Sequence, residues 1–169
     1  MEQRVAALVD FYRHVQTERM QGIPILNPAL SVEAVGFRLA AMSEEVPGQE
    51  QEPVAEGVLI TPWFMSLVRL PLALQPHGHR VARKFVRDFG SEGFEFIGAH
   101  DDAVGYHETC ALFSPMEGFA TQAQAVETAL ASLALVRPEP AREAARAPEP
   151  VPARRAFFMA RRAGPGAAP

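Results

Sequence analysis

An α+β fold is predicted: mainly an antiparallel β-sheet, with an N-terminal and a C-terminal helix packed on it and a disordered C-terminal tail. Three observations predict it. Apolar residues recur at helical spacing at the start of the chain and again over about 121–136. Between these stretches lie short apolar or alternating runs, punctuated by Gly- and Pro-containing turns. After Arg137 the chain becomes rich in Pro, Ala and Arg and holds seven of the fifteen prolines, a composition that cannot build a core. The expected organisation is one domain over 1–137, followed by a flexible tail over 138–169 with a docking segment at 153–162.

The first helix is expected from Glu2 to Met20, with Val5, Leu8, Val9, Tyr12 and Val15 on one face. Gly22 and Pro24 end it, and the linker to Leu30 is expected to lie packed on the core surface. Val32 to Ala41 reads as a strand, with Val35, Phe37, Leu39 and Ala41 on one face and a wet face opposite. Ser43 to Glu56 has five glutamates (Glu44, Glu45, Glu50, Glu52, Glu56), two prolines and no base, so it reads as a mobile acidic loop. Such a loop attracts arginine-rich segments.

Gly57 to Pro71 is the organising stretch. Val58 to Ile60 is short and β-branched, and Phe64 to Leu70 reads as a second strand. Phe64, Ser66, Val68 and Leu70 share one face; Met65, Leu67 and Arg69 share the other. Pro62 interrupts the ladder between them. Trp63, the only tryptophan, is either core filler or, with its neighbours, the rim of a peptide groove. Val81 to Phe89 fits helix or strand, with strand favoured for its second half. Gly90 to Gly93 reads as a hairpin loop, Phe94 to Ala99 and Tyr106 to Phe113 as strands, and His100 to Gly105 as the turn between them. Ser114 to Phe119 is a loop. Thr121 and Gln124 make a capping box for a helix to about Val136, with Val126, Ala129, Leu130, Leu133 and Val136 inward. Pro138 stops it.

Composition excludes several classes. A chain of 169 residues with 48 % hydrophobic and 21 % charged content supports one globular core. The single cysteine, Cys110, cannot close an internal disulfide and suits a reducing compartment. No apolar run reaches the length of a membrane span and the first residues lack a signal-peptide core, so a cytoplasmic protein without membrane insertion is expected. The tail holds six arginines against three glutamates, a charge of +3; the total is −4, so residues 1–137 carry −7. An acidic body suits basic peptides and disfavours nucleic acid.

No reaction chemistry stands out. His77 and His79 are a weak chelating pair, and His107 and Cys110 lie three apart on a predicted strand, on opposite faces, so they cannot share an ion. Zinc-finger, zincin, phosphate-loop and nucleophile-elbow motifs are absent. A half-buried Cys110 is usually inert. The expectation is a binding protein, not an enzyme, with no cofactor and no metal. In the tail, Arg154, Arg155, Phe157 and Phe158 keep aromatics beside paired arginines, which marks a docking element.

Three motifs occur in order: Ile60-Thr61-Pro62-Trp63-Phe64-Met65, then Cys110-Ala111-Leu112-Phe113-Ser114-Pro115-Met116 with Phe119, then Arg154-Arg155-Ala156-Phe157-Phe158. Together they resemble the HybE/HupJ family of [NiFe]-hydrogenase assembly chaperones, from the Asn27-Pro28 turn to Arg162. The resemblance implies a cytoplasmic accessory protein in maturation of an uptake hydrogenase. Its implied partners are the small subunit, through its twin-arginine signal peptide, and/or the large subunit. Pro62, Trp63, Phe64, Ser114, Pro115, Met116 and Phe119 are the expected partner-binding residues. The alternative is a metal-handling accessory protein that assists loading of the NiFe site. The tail sequence Arg154-Arg155-x-Phe157-Phe158 itself imitates a twin-arginine core, so it either occupies the chaperone's own groove or docks on the client.

Overall fold

The computed structural model describes residues 1–40, 52–74 and 77–137. The order of elements is α1 (Glu2–Glu18), β1 (Glu33–Leu39), β2 (Val54–Ile60), β3 (Met65–Pro71), β4 (Lys84–Phe89), β5 (Glu92–Asp101), β6 (Gly105–Phe113) and α2 (Gln122–Val136). The strands form one antiparallel sheet in the order β1-β2-β3-β6-β5-β4. The expected class is therefore observed, with β1 and β4 as the edges.

The central stretch is apolar almost throughout because it is covered on both sides. Val58, Ile60, Met65 and Leu67 meet Ala125, Ala129 and Leu133 of α2 on one face. Ala55, Leu59, Val68 and Leu70 meet Leu8 of α1 on the other. An antiparallel sheet commonly leaves one face wet; here two helices cover the β1–β3 half on opposite sides. The expected alternation of β3 holds. The β2–β3 turn is tied by Thr61, whose Oγ1 accepts from Phe64 N at 2.9 Å and Trp63 N at 3.3 Å. β3 begins at Met65, so Phe64 belongs to this turn.

Four expectations need correction. In β1 the alternation breaks: Val35 faces the α2 side and Phe37 the α1 side. A bulge between Val35 and Arg38, with Gly36 at φ +61°, inserts the extra residue that resets the faces. Leu39 is 55 % exposed. The acidic loop does not extend to Glu56: β2 starts at Val54, and Glu56 is buried within it. In α2, Ala125, Ala129 and Leu133 are buried, whereas Leu130 is 51 % exposed. The linker residues Ile23 and Ile25 are not packed down; both are exposed.

The ambiguous segment divides. Gly78–Arg80 is a turn of 3-10 helix, and the second half is β4, as favoured. The β4–β5 turn is tighter than expected: Phe89 pairs with Glu92 across Gly90-Ser91, with Gly90 at φ +68°. The Thr121 cap is as read, with its Oγ1 accepting from Gln124 N at 3.2 Å; Gln124 Oε1 accepts from Ala120 N at 2.9 Å, one residue before the N-cap. Thr121→Ala is therefore expected to cost about 1 kcal/mol, measured by urea denaturation.

Candidate functional site

Three loops converge at one end of the sheet: the linker around Asn27, the Thr61–Phe64 turn and the Ser114–Phe119 loop. Asn27 joins them. Its backbone N donates to Pro62 O at 2.9 Å. Its side-chain Nδ2 donates to Met116 O at 2.9 Å and to Phe119 O at 2.7 Å, and its Oδ1 accepts from Ala29 N at 3.0 Å. Ser114 Oγ donates to Trp63 O at 3.4 Å, a second tie between two of the loops.

Between the linker and the 114–119 loop lies a cleft of about 380 Å³. Ile25, Pro28, Pro115 and Phe119 give it apolar walls, and Glu117 supplies one carboxylate. Ile25 is 42 % exposed, and Phe113, packed edge-on to Phe119 at 5.3 Å, is 41 % exposed. Exposed branched and aromatic side chains beside a concave surface of mixed polarity suit a partner segment that carries apolar and polar groups together.

The expected partner residues separate. Pro115 and Phe119 line the cleft, and Ser114 is exposed beside it. Met116 is completely buried and shapes the loop from beneath. Pro62 is buried. Trp63 and Phe64 turn towards α1, where Tyr12 lies 6.4 Å from the Trp63 ring and 5.5 Å from Phe64. None of Pro62, Trp63 and Phe64 lines the cleft. Glu44, Glu45 and Glu50 lie outside the described residues, as do Arg154, Arg155, Phe157 and Phe158. Glu52 faces His77, with Oε2 3.2 Å from Nε2. Glu56 is engaged with Arg69 and Arg137 inside the fold. Sequence reasoning missed Asn27, Ile25 and Phe113 as parts of the site; the exposed apolar linker was the available signal.

His77 is buried against Tyr106 and Glu52, and its ring lies 6.4 Å from that of His79. Among the described residues no group of three or more His, Cys, Asp or Glu side chains is placed to hold a metal ion. Burial raises the Cys110 pKa, which disfavours the thiolate. His107 and Cys110 do lie on opposite faces, the one against Tyr12, the other against the α2-side core.

Tyr12 O–H and His107 Nε2 are 3.1 Å apart beneath the aromatic cluster, and His107 Nδ1 is 3.3 Å from Gly105 O. The pairing is satisfied when Nδ1 carries the proton and Tyr12 donates to Nε2. Burial lowers the His107 pKa and pushes that of Tyr12 up to about 12. The unfolded histidine titrates near about 6.5, so below that pH the unfolded state binds more protons and stability falls. Urea midpoints are expected to drop from pH 7.5 to pH 5, and His107→Gln is expected to flatten that dependence.

No helix among the described residues is long and apolar enough to cross a membrane. The fold is similar to the solution structure of HybE from Escherichia coli, with a TM-score of 0.51 over 79 % of this chain and 76 % of that one, at 17 % identity. The sequence is 41 % identical over 165 residues to Protein HoxT of Cupriavidus necator, covering 94 % of this chain and 89 % of that protein. It is 37 % identical over 144 residues to the hydrogenase expression/formation protein HupJ of Bradyrhizobium diazoefficiens, covering 85 % and 78 %. The family described as [NiFe]-hydrogenase assembly, chaperone, HybE, matches residues 3–160. The chain belongs to the HybE family of [NiFe]-hydrogenase assembly chaperones.

Proposed function

We propose that this hydrogenase assembly chaperone holds an immature hydrogenase subunit through the cleft between the linker and the 114–119 loop. The bound element is the twin-arginine signal peptide of the small subunit, and/or a segment of the large subunit, and holding it delays export until assembly is complete. The work is done in the cytoplasm, by binding and not by catalysis. The observation that carries this reading is a cleft of mixed polarity, with Ile25 and Phe113 exposed beside Phe119 and the Glu117 carboxylate at its edge. A twin-arginine signal offers two cations and then apolar residues. Glu117 at the cleft and the −7 charge of residues 1–137 complement the first; the cleft walls complement the second. We read Arg154, Arg155, Phe157 and Phe158 as an additional docking element for the client.

Isothermal titration of the full chain with a small-subunit twin-arginine peptide and its Lys-Lys variant tests the reading. Micromolar binding that needs the arginines is expected. Ile25→Glu, at an exposed position, is expected to abolish it without changing the melting temperature. If neither the signal peptide nor the purified large subunit binds, the cleft is not a client site. A chain ending at Pro138 is expected to hold the client more weakly if the tail docks on it.

A further inference from the structure

The wall of the cleft is lopsided in its hydrogen bonding. Pro24, Pro28 and Pro115 bring no N–H to it. The N–H groups of Leu26, Asn27, Ala29, Phe119 and Ala120 are spent within the fold, on Ile23 O, Pro62 O, Asn27 Oδ1, Met116 O and Gln124 Oε1. Asn27 Nδ2 gives its hydrogens to Met116 O and Phe119 O. Among the residues that line the cleft, Ile25 and Glu117 alone keep a backbone N–H with no acceptor among the described residues. Acceptors are plentiful by contrast. On the linker the carbonyls of Pro24, Ile25, Leu26, Pro28 and Ala29 accept no hydrogen bond from the described residues, and on the loop those of Pro115 and Glu117 accept none. Each carbonyl brings two lone pairs. The Glu117 carboxylate adds to them, and no Lys, Arg or His among the described residues lines the cleft to neutralise it.

We propose that the cleft is a guanidinium site, which holds one arginine side chain of the client on backbone carbonyls with Glu117 as counter-charge; this rests on the reading of the cleft as the client site. A wall of oxygens with few donors repels ionised carboxylate and phosphate groups, which bring only further acceptors, and selects a cation rich in N–H groups. Guanidinium presents five N–H donors in a fixed plane. Ammonium presents three on a compact charge that is more strongly hydrated. The guanidinium plane also packs on flat apolar surfaces, and Pro115 and Phe119 line the same cleft. A volume of about 380 Å³ lies at the small end of ligand pockets, which run from about 300 to 1,000 Å³, so it suits a side chain and its neighbour, not a whole helix. That neighbour meets Ile25, exposed at the cleft, so an aliphatic residue next to the arginine is favoured. Selectivity for arginine accordingly rests on the main chain of the linker, whose path the Asn27 bonds fix. Glu117 supplies attraction that lysine would share.

The test is an NMR titration of the isotope-labelled full chain with acetyl-Leu-Arg-Leu-amide, and with the same tripeptide carrying lysine, asymmetric dimethylarginine or glutamate in the middle. Saturable backbone shifts confined to 24–29 and 115–120 are expected for arginine. Lysine and dimethylarginine are each expected to bind at least about fivefold more weakly, and glutamate not at all. Dimethylarginine is the discriminating probe, because it keeps the charge and loses donors. Glu117→Gln, at an exposed position, is expected to weaken the arginine and lysine probes by a similar factor and so to leave the preference between them. Equal affinity for arginine and dimethylarginine overturns the proposal. So does a preference for arginine that Glu117→Gln removes, since the carboxylate alone then reads the cation. If the small-subunit signal peptide or the large subunit shifts the cleft residues and the arginine probe does not, the cleft is a client site but no guanidinium site. If the arginine probe binds there and neither client displaces it, the guanidinium site stands and the client reading falls.

Discussion

Replacing Arg69 with Met is expected to lower the free energy of unfolding by about 3–5 kcal/mol, measured by urea denaturation at pH 7.5. The reason is a row of charges in register across four strands: Arg38 on β1, Glu56 on β2, Arg69 on β3 and Glu108 on β6. Among the described residues Arg69 is the only cation that bridges two carboxylates whose side chains are 5 % and 6 % exposed. Its Nη1 donates to Glu56 Oε1 and to Asp88 O, and its Nε lies 3.7 Å from Glu108 Oε2. Glu108 keeps other donors without it, at 3.0 and 3.1 Å from Arg87 and 2.9 Å from Tyr106 O–H. Among the described residues the one ion pair left to Glu56 is Arg137 Nη2, at 3.9 Å, with Arg38 acting on it only at longer range. Breaking a buried pair from one side leaves an uncompensated charge, which costs more than the pair was worth.

The same argument predicts the pH dependence of the variant. Burial already raises the Glu56 pKa, against the opposing fields of Arg69, Arg137 and Arg38. Without Arg69 it rises further. A carboxyl group whose folded pKa lies above its unfolded value stabilises the fold at low pH and loses that contribution as pH rises through the folded pKa. The deficit of Arg69→Met relative to wild type is therefore expected to be smaller at pH 5 than at pH 7.5. The comparison at each pH cancels the opposite effect of His107, which is present in both proteins. Pairing Arg69→Met with Glu56→Leu removes the stranded charge and is expected to recover part of the loss. A double variant no more stable than the single one would show that the row is held by packing, not charge.

This row also shows where sequence reading runs out. Glu56 closes the 43–56 stretch after four other glutamates, and composition assigned it to solvent. Its partners lie on three other elements, and only strand register brings Arg69 opposite it. The helices, the β2–β3 pair and the β5–β6 hairpin were legible because their signals are local: a repeat of 3.6 or 2, a capping threonine, a glycine at a turn. The β1 bulge was not. A single extra residue at Gly36 leaves composition unchanged and moves Phe37 to the other face. Leu130 was misplaced because an apolar residue on the margin of a helical stripe scores like one at its centre. At the site, the sequence marked the 114–119 loop and the Trp63 turn but left Trp63 open between core filler and the rim of a groove. In the fold its ring is drawn to Tyr12, a residue on α1 that nothing near position 63 announces.

Asn27→Asp is expected to release the cleft while leaving the sheet intact. The wild-type amide spends both side-chain donors on carbonyls 89 and 92 residues away, Met116 O and Phe119 O. An aspartate places a carboxylate oxygen against those two carbonyls, so two hydrogen bonds are lost and two like partial charges face each other. Each stranded carbonyl costs about 1–3 kcal/mol if the loop stays closed. The loop can instead open into water, because Ser114, Pro115 and Glu117 are exposed. The global urea midpoint is then expected to fall modestly, while hydrogen exchange in 114–119 rises sharply and affinity for the client is lost. Asn27→Ala removes the donors without adding charge and is expected to be milder in both readouts. Acidification separates the two variants. A carboxyl group held against carbonyls has a raised pKa, and once protonated it again donates one of the two bonds. The aspartate variant should therefore regain loop protection below its raised pKa, whereas the alanine variant should not. Equal exchange in 114–119 for wild type and both variants would show that the 114–119 loop is held by the packing of Met116 and Phe119 alone, with Asn27 a bystander to the cleft.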